Sequence, residues 1–444
     1  MTKILQKTRS LDLSKDKLGY VKYLQCLNCG EVYTLKRLKE EQGTCQINVC
    51  YGKCLGPLVV SFDLLKVKLT KEEILSRQKT FSALRELLPY EDSTSVFDFN
   101  FTDLRYSKYY SEKTGLEVYF KLDMDLPSGS FKDRPVLAAF KRARETGYNK
   151  VFVASTGNLA IASLKLGKLF NFEVKVYLSN TLNKKRRAYI ERFCDDPKKQ
   201  IVTVDGSYDD ANIRAIHDCE LENNKDLEKL GQYKTFVPNY SFRPYYKEGS
   251  KTSGFEIAIQ LLEKNVPENK KVHIFYPVGS GALICSAYKG IQELKSIGVF
   301  KNKTSFYAIQ QETLNPVVRA FNENKNLLPQ KPSGHLVREI AIGNPGSGIE
   351  TLKILKDTNG AARDVSDKEI LKSFIELYKN ENLFPQLCGA MTIRGFEKLH
   401  KKDNFTPGDI VVLNITGNGR GRIEDDLLSY GIKLGLEKEI KGII

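Results

Sequence analysis

The chain has 444 residues, 41% hydrophobic and 28% charged, with 32 Gly and 15 Pro. This excludes a disordered or collagen-like chain and leaves room for two or three packed domains. Lys and Arg total 69 against 54 Asp and Glu, a formal net charge of +15, which invites a nucleic-acid reading. The basic runs are short, however (Lys184–Arg187, Lys198–Lys199, Lys270–Lys271), and no aromatic residues are interleaved with them, so the charge reads first as solvated helix faces.

Met1–Tyr20 is polar and charged and lacks the apolar core of a secretory signal. No run approaches the roughly 20 apolar residues of a membrane helix, so the expected setting is the cytoplasm, with no membrane partner. The histidines His217, His273, His335 and His400 form no HExxH-type pair. Cysteines at positions 26, 29, 45, 50 and 54 cluster near the start. In a reducing compartment such a cluster reads as a metal site rather than disulfides. The turn Cys26-Leu-Asn-Cys29 suits two ligands of a tetrahedral zinc, Cys50 and Cys54 are the expected second pair, and Cys45 is spare. Residues 1–66 are therefore expected to form a small zinc-ribbon-like clip that runs into a strand at Val59–Phe62. Nothing indicates the open coordination position of a catalytic zinc. Cys194, Cys219, Cys285 and Cys388 read as core residues.

Next comes a charged, helix-like connector, Lys71–Leu88. From Leu116 onward, β-branched runs alternate with amphipathic ones. Strands are expected at Leu116–Leu122, Lys150–Ala154, Glu173–Ser179, Gln200–Val204, Thr235–Pro238, Val272–Val278, Ser305–Ile309 and Asp409–Ile415. Helices are expected at Leu159–Phe170, Asn183–Cys194, Asp209–Asn223, Lys251–Lys264, Ala282–Ser296, Lys368–Tyr378 and Gly389–Lys401. This alternation predicts α/β architecture with mainly parallel sheets.

Ligands of open parallel sheets sit at the carboxyl ends of strands, and four turns there carry chemistry. In Leu126-Pro-Ser-Gly-Ser-Phe-Lys-Asp-Arg134, Lys132 opens an apolar helix, Pro135–Phe140. The positive helix end disfavours its ammonium form and suits an amine nucleophile, although a solvated lysine fits the same pattern. Ser155-Thr-Gly-Asn158 ends a strand and starts a helix, either as an anion nest or as a plain N-cap. Gly279-Ser-Gly-Ala282 is small enough for a backbone to cradle phosphate, without the marks of a P-loop or a dinucleotide fingerprint. Thr416 ends an apolar strand ahead of Gly417-Asn-Gly-Arg-Gly421 and can offer a neutral hydroxyl to a ring nitrogen.

In this order, the four turns closely resemble those of the fold-type II pyridoxal-phosphate enzymes, and the PSGSFKDR segment with the cysteine ribbon resembles the threonine synthase family, from about Cys26 to Asp426. The resemblance implies two three-layer α/β domains of the tryptophan synthase β-like type after the ribbon. The small one would cover 135–235, inserted into a large one of 67–134 and 236–444, with the cofactor between them. It further implies that Lys132 forms the internal Schiff base and carries the proton, and that Asn158 bonds the ring oxygen. Backbone N–H groups of Gly279, Ser280, Gly281, Ala282 and Leu283 would hold the phosphate. Thr416 would face the ring nitrogen, and Ser155, Thr156 and Gly157 would grip the substrate carboxylate.

Threonine synthases convert O-phosphohomoserine and water to threonine and phosphate. A family segment whose Arg meets the substrate phosphate reads here Arg243-Pro-Tyr-Tyr-Lys247, with Tyr246 in the place of that Arg and Arg243 or Lys247 as substitutes. Leu159, Leu283 and Phe384–Cys388 also depart from the family pattern. The stretch Leu413–Arg422 is similar to cysteate synthase, which takes O-phosphoserine and sulfite. The expected function is thus a threonine synthase-like lyase acting on a small phosphorylated amino acid, with β-replacement on O-phosphoserine as the alternative and a zinc-ribbon nucleic-acid-binding protein as the distant one. The family resemblance suggests a monomer or homodimer.

Overall fold

The computed structural model describes residues 20–27, 29–33, 58–90, 97–155, 157–231, 233–239, 243–331, 336–401 and 405–444. Its strands, in chain order, are β1 (Val21–Cys26), β2 (Val32–Tyr33), β3 (Leu58–Phe62), β4 (Leu104–Tyr106), β5 (Glu117–Lys121), β6 (Lys150–Ala154), β7 (Glu173–Ser179), β8 (Ile201–Val204), β9 (Thr235–Phe236), β10 (Val272–Pro277), β11 (Thr304–Gln311), β12 (Ala361–Val365) and β13 (Ile410–Asn414). All eight strands expected after Leu116 form, within two residues of their expected limits.

The chain divides into two compact units, 1–100 with 132–252 and 101–131 with 253–444, whereas the sequence places its joints near residues 66, 134 and 235. In the first unit β1 pairs antiparallel with both β2 and β3. A parallel sheet follows, in the order β8-β7-β6-β9. Phe140 packs edge-on against Phe170 and Phe236 beside it.

The second unit carries a sheet ordered β12-β11-β10-β13-β5-β4, parallel except for the edge strand β4. Every residue of β10, β11 and β13 is buried, as expected of central parallel strands covered on both faces. Both parallel sheets reverse their winding direction once. From β10 the chain moves outward to β11 and β12, while β13 lies on β10's other side. From β6 it moves to β7 and β8, while β9 lies on the other side. Each reversal opens a crevice at the strands' carboxyl ends.

Three helical expectations need correction. The connector Lys71–Leu88 is helical only at Lys71–Ser76, because Arg77 turns extended and donates to Ala83 O and Glu86 (both 2.8 Å). Phe81–Leu87 forms 3-10 turns instead. The helix expected at Asp209–Asn223 runs over Tyr208–Leu230, opened by a Ser207–Asp210 capping box and closed by left-handed Gly231. The helix expected from Lys251 begins at Arg243.

In the second unit His273 is buried, with Nδ1 2.8 Å from Tyr307 Oη and Nε2 3.2 Å from Asp409 Oδ2. Burial pushes its pKa down to about 4, further than Asp409 raises it. The unfolded chain therefore binds the extra proton between about pH 6.5 and 4. The stability contributed by neutral His273 is full above pH 6.5 and is lost as pH falls, on the order of 3 kcal/mol by pH 4. Urea midpoints of wild type and His273→Gln at pH 7, 5.5 and 4.5 should diverge most at pH 7. Parallel pH profiles would remove His273 from the acid response.

Candidate active site

In the second unit, β10 and β13 are neighbouring parallel strands, so the turns that follow them leave the same edge of the sheet. The β10 turn is Val278–Gly281, and the helix Ala282–Ser296 starts with Gly281 as N-cap and no side-chain cap. Gly281 adopts φ +83°, and a Cβ there would lie 2.5 Å from Thr351 Oγ1 and 3.0 Å from Ser347 O, so only glycine fits. Ser347 N–H donates to Ser280 O (2.8 Å), which pins the turn. The result is a rigid, uncapped start of a 15-residue helix, whose N–H groups suit an anionic group.

Thr416 follows β13 and is buried, its hydroxyl 3.2 Å from Cys388 Sγ. Burial pushes the Cys388 thiol up to about 12, so Thr416 meets a neutral group. Sequence reading placed Cys388 in the core and missed this contact; the residues lie 28 apart and only folding joins them.

The Thr416–Asn418 backbone pairs with the segment just ahead of Lys132. Phe131 N–H donates to Thr416 O (2.9 Å), Ser130 bridges Gly417, and Asn418 N–H donates to Gly129 O (2.8 Å). On its other side Gln386 N–H donates to Gly417 O (2.7 Å). Arg422 clamps the Lys132 turn, donating to Ser128 O and, at 3.1 Å, to Gly129 O. Gly129 sits at φ +75°, where a Cβ would come within 3.0 Å of the Arg422 guanidinium. Arg422 directly follows the glycine-rich run Gly417–Gly421, and only the fold brings its guanidinium to Ser128 and Gly129.

Lys132, the next residue in the chain, begins the first unit's second segment and is the N-cap of the helix Asp133–Glu145. It is half-buried, and the surrounding protein strips enough solvent to push its pKa down from the ordinary lysine range to about 8. Its Nζ donates to Tyr246 Oη at 3.4 Å. Tyr246 lies on the helix Arg243–Glu263, and burial raises its phenol well above the usual tyrosine range. Arg243 is half-buried one turn before Tyr246, on the same helix face, while Lys247 is buried.

In the same unit β6 ends at Ala154, beside the reversal between β6 and β9. Gly157 N–H donates to Ser155 Oγ at 3.3 Å. Gly157 is the N-cap, without a side-chain cap, of the helix Asn158–Phe170, which packs against Asp133–Glu145. Thr156 lies outside the described residues.

The expected zinc site finds no support among the described residues. Cys26 ends β1 and Cys29 sits in the following turn, where Gly30 N–H donates to Cys26 O at 3.0 Å. No group of three or more His, Cys, Asp or Glu side chains gathers for a metal among the described residues. Cys45, Cys50 and Cys54 lie outside them. No helix among the described residues is long and apolar enough to cross a membrane.

The first unit thus carries an amine of depressed pKa and a helix start without a side-chain cap, and the second another such helix start and a buried neutral hydroxyl. Comparison with known proteins agrees with it. The chain is 29% identical over 401 residues to threonine synthase of Methanosarcina acetivorans, covering 89% of this chain and 91% of that one. It is 28% identical over 406 residues to threonine synthase of Methanocaldococcus jannaschii, covering 89% and 92%. The fold matches the processed form of threonine deaminase isoform 2 from Solanum lycopersicum with a TM-score of 0.57 at 18% identity, covering 77% of this chain and 84% of that one. Residues 98–417 match the pyridoxal-phosphate dependent enzyme family; the chain belongs to that family, with the fold-type II architecture, and its likeness to the threonine synthases extends over most of its length.

Proposed function

We propose that the chain is a pyridoxal-phosphate-dependent lyase of the threonine synthase type, converting O-phosphohomoserine and water to threonine and phosphate. The observation that carries this reading is Lys132: a lysine with a pKa near 8, next in sequence to a turn clamped by Arg422 and paired with the Thr416 backbone. When bound, pyridoxal phosphate supplies an aldehyde for an amine and a ring that accepts the electrons of a broken C–H bond.

The residues fit that group. At Gly281 the cradle excludes any Cβ, and the uncapped helix start has N–H groups to offer a phosphate. Thr416, paired with a neutral thiol, suits an unprotonated ring nitrogen. The reading assigns Lys132, Asn158 and the carboxylate-binding Ser155–Gly157 turn to the first unit, and the phosphate turn Gly279–Leu283 with Thr416 to the second. With substrate bound, the Lys132 amine would take the α-proton and later return it, so no histidine is required. Arg243, on the Tyr246 face of its helix, is assigned to the substrate's anionic end, with Lys247 as second candidate.

Product analysis after incubation with O-phosphohomoserine, and separately with O-phosphoserine with and without sulfite, tests this. Threonine and phosphate should form from the first substrate alone. Turnover only of O-phosphoserine, with sulfite consumed, would move the assignment to β-replacement of the cysteate synthase kind.

A further inference from the structure

We infer that Tyr246 is the working partner of Lys132: its phenolic oxygen engages the lysine nitrogen whenever that nitrogen is free, aiming it and setting its protonation. This rests on the reading of Lys132 as the cofactor-bearing lysine. Lys132 Nζ lies 3.4 Å from Tyr246 Oη and 5.9 Å from the ring centroid, so it faces the hydroxyl rather than the ring.

The two backbones that carry these side chains are held together at two further points. A Cβ on Gly249 would lie 2.3 Å from Arg134 O and 2.7 Å from Pro135 Cα, so the helix Arg243–Glu263 meets the start of Asp133–Glu145 in direct backbone contact. Arg134 Nη1 also donates to Thr252 Oγ1 at 2.9 Å. Tyr246 itself is 7% exposed. Its position is therefore fixed by its helix, not by a mobile side chain.

The chemistry of a phenol suits this place. Burial, with Tyr208 acting in the same direction, keeps Tyr246 protonated and neutral. The charged groups nearest in the chain are Asp133 and Arg134, beside Lys132, and Lys247 and Glu248, beside Tyr246, with Arg243 one turn before it. A cation at position 246 would oppose the ammonium, and a carboxylate would hold it protonated. A neutral hydroxyl does neither: it accepts a hydrogen bond from the ammonium and donates one to the free amine. When Lys132 takes a proton and gives it back, Tyr246 keeps its own proton and only the direction of the hydrogen bond reverses. No oxidant or further reactant enters.

The test uses the full-length Tyr246→Phe protein, with and without pyridoxal phosphate. Without cofactor, Lys132 is reductively methylated with formaldehyde and cyanoborohydride across a pH series and quantified by peptide mass spectrometry. The bond accepted from the charged ammonium is stronger than the one donated to the free amine, so without the hydroxyl the inflection near pH 8 should move down by about 0.5 to 1. With cofactor, kcat should fall roughly tenfold to a hundredfold with KM nearly unchanged, while the visible cofactor band persists. Tyr246→Gln, which keeps an acceptor, should hold the inflection near its wild-type position, and it gives a second measurement if the phenylalanine variant does not fold. An unmoved inflection and unmoved kcat in a variant that binds cofactor would overturn the assignment. A wild-type protein that binds no pyridoxal phosphate would instead sink the lysine reading, while the methylation profile still reports on Tyr246.

Discussion

Lys132→Ala should lower turnover by at least about a thousandfold, the combined loss of a covalent anchor and a positioned base, and should abolish the visible absorption that wild type gains with pyridoxal phosphate. The depressed pKa gives this a pH signature. At pH 7 an amine with a pKa of about 8 is free in about a tenth of molecules, whereas an ordinary lysine is free in about one in three thousand. Loading of wild type with pyridoxal phosphate should therefore speed up with pH only to about 8 and then level off. The same burial acts on stability with a definite sign. Below pH 8 the ammonium is charged in both the folded and the unfolded chain, and its desolvation costs stability. That cost fades as pH rises from 8 towards 10.5, where the unfolded chain holds the extra proton. The cofactor-free alanine protein should thus unfold at no lower urea concentration than wild type at pH 7, which separates lost chemistry from lost structure. A variant that keeps both the band and the turnover would place the reactive amine elsewhere.

Features set by near neighbours in the chain can be read from the sequence, and those set by distant contacts cannot. The turns after β6, β10 and β13 stand out because each ends an apolar strand with small or hydroxyl residues, and Pro127–Ser130 stands out as a run of turn residues a short way beyond β5. Helix limits fail where a polar residue has an unseen partner. Asn223 looks like a stop, yet it is buried within Tyr208–Leu230, donating to Thr235 O (2.8 Å) and accepting from Thr235 N (2.9 Å). Edge strands are harder still: β4 is three residues long, and β12, Ala-Ala-Arg-Asp-Val, has little β-branched character. Among the residues proposed for the site, Lys132, Gly281 and Thr416 carry motif signals. The Tyr246 hydroxyl, the Cys388 thiol and the Arg422 clamp meet their partners across 114, 28 and 294 residues, separations that no local pattern spans. Tyr246 is the instructive case, since the sequence marks it only as a departure from the family pattern and the fold supplies its contact with Lys132.

Lys121→Met should destabilise the protein by about 3–5 kcal/mol, the cost of leaving a buried charge without its partner. Lys121 and Glu256 are both fully buried, with Nζ 2.6 Å from Glu256 Oε2. Lys121 also donates to Thr102 O (2.6 Å) and Gln260 Oε1 (2.9 Å), and Glu256 accepts from Thr102 N (3.0 Å). With methionine in place of the cation, Glu256 keeps the backbone and hydroxyl donors of Thr102 (3.0 and 3.3 Å) but loses the Lys121 charge. Lys121→Met with Glu256→Leu should recover much of the loss, because a pair replaced by apolar groups leaves nothing unpaired, and the double-mutant cycle should show coupling of about 0.5–3 kcal/mol. The pair matters to the site through register. Lys121 stands opposite Asn414 where β5 meets β13, and Asn414 donates to Asp123 at 3.2 Å. Those strand ends lead directly into the Lys132 turn and Thr416. A Lys121→Met protein with wild-type denaturant midpoints at every pH would show that apolar packing alone holds this register, and the buried charges would then need a role other than stability.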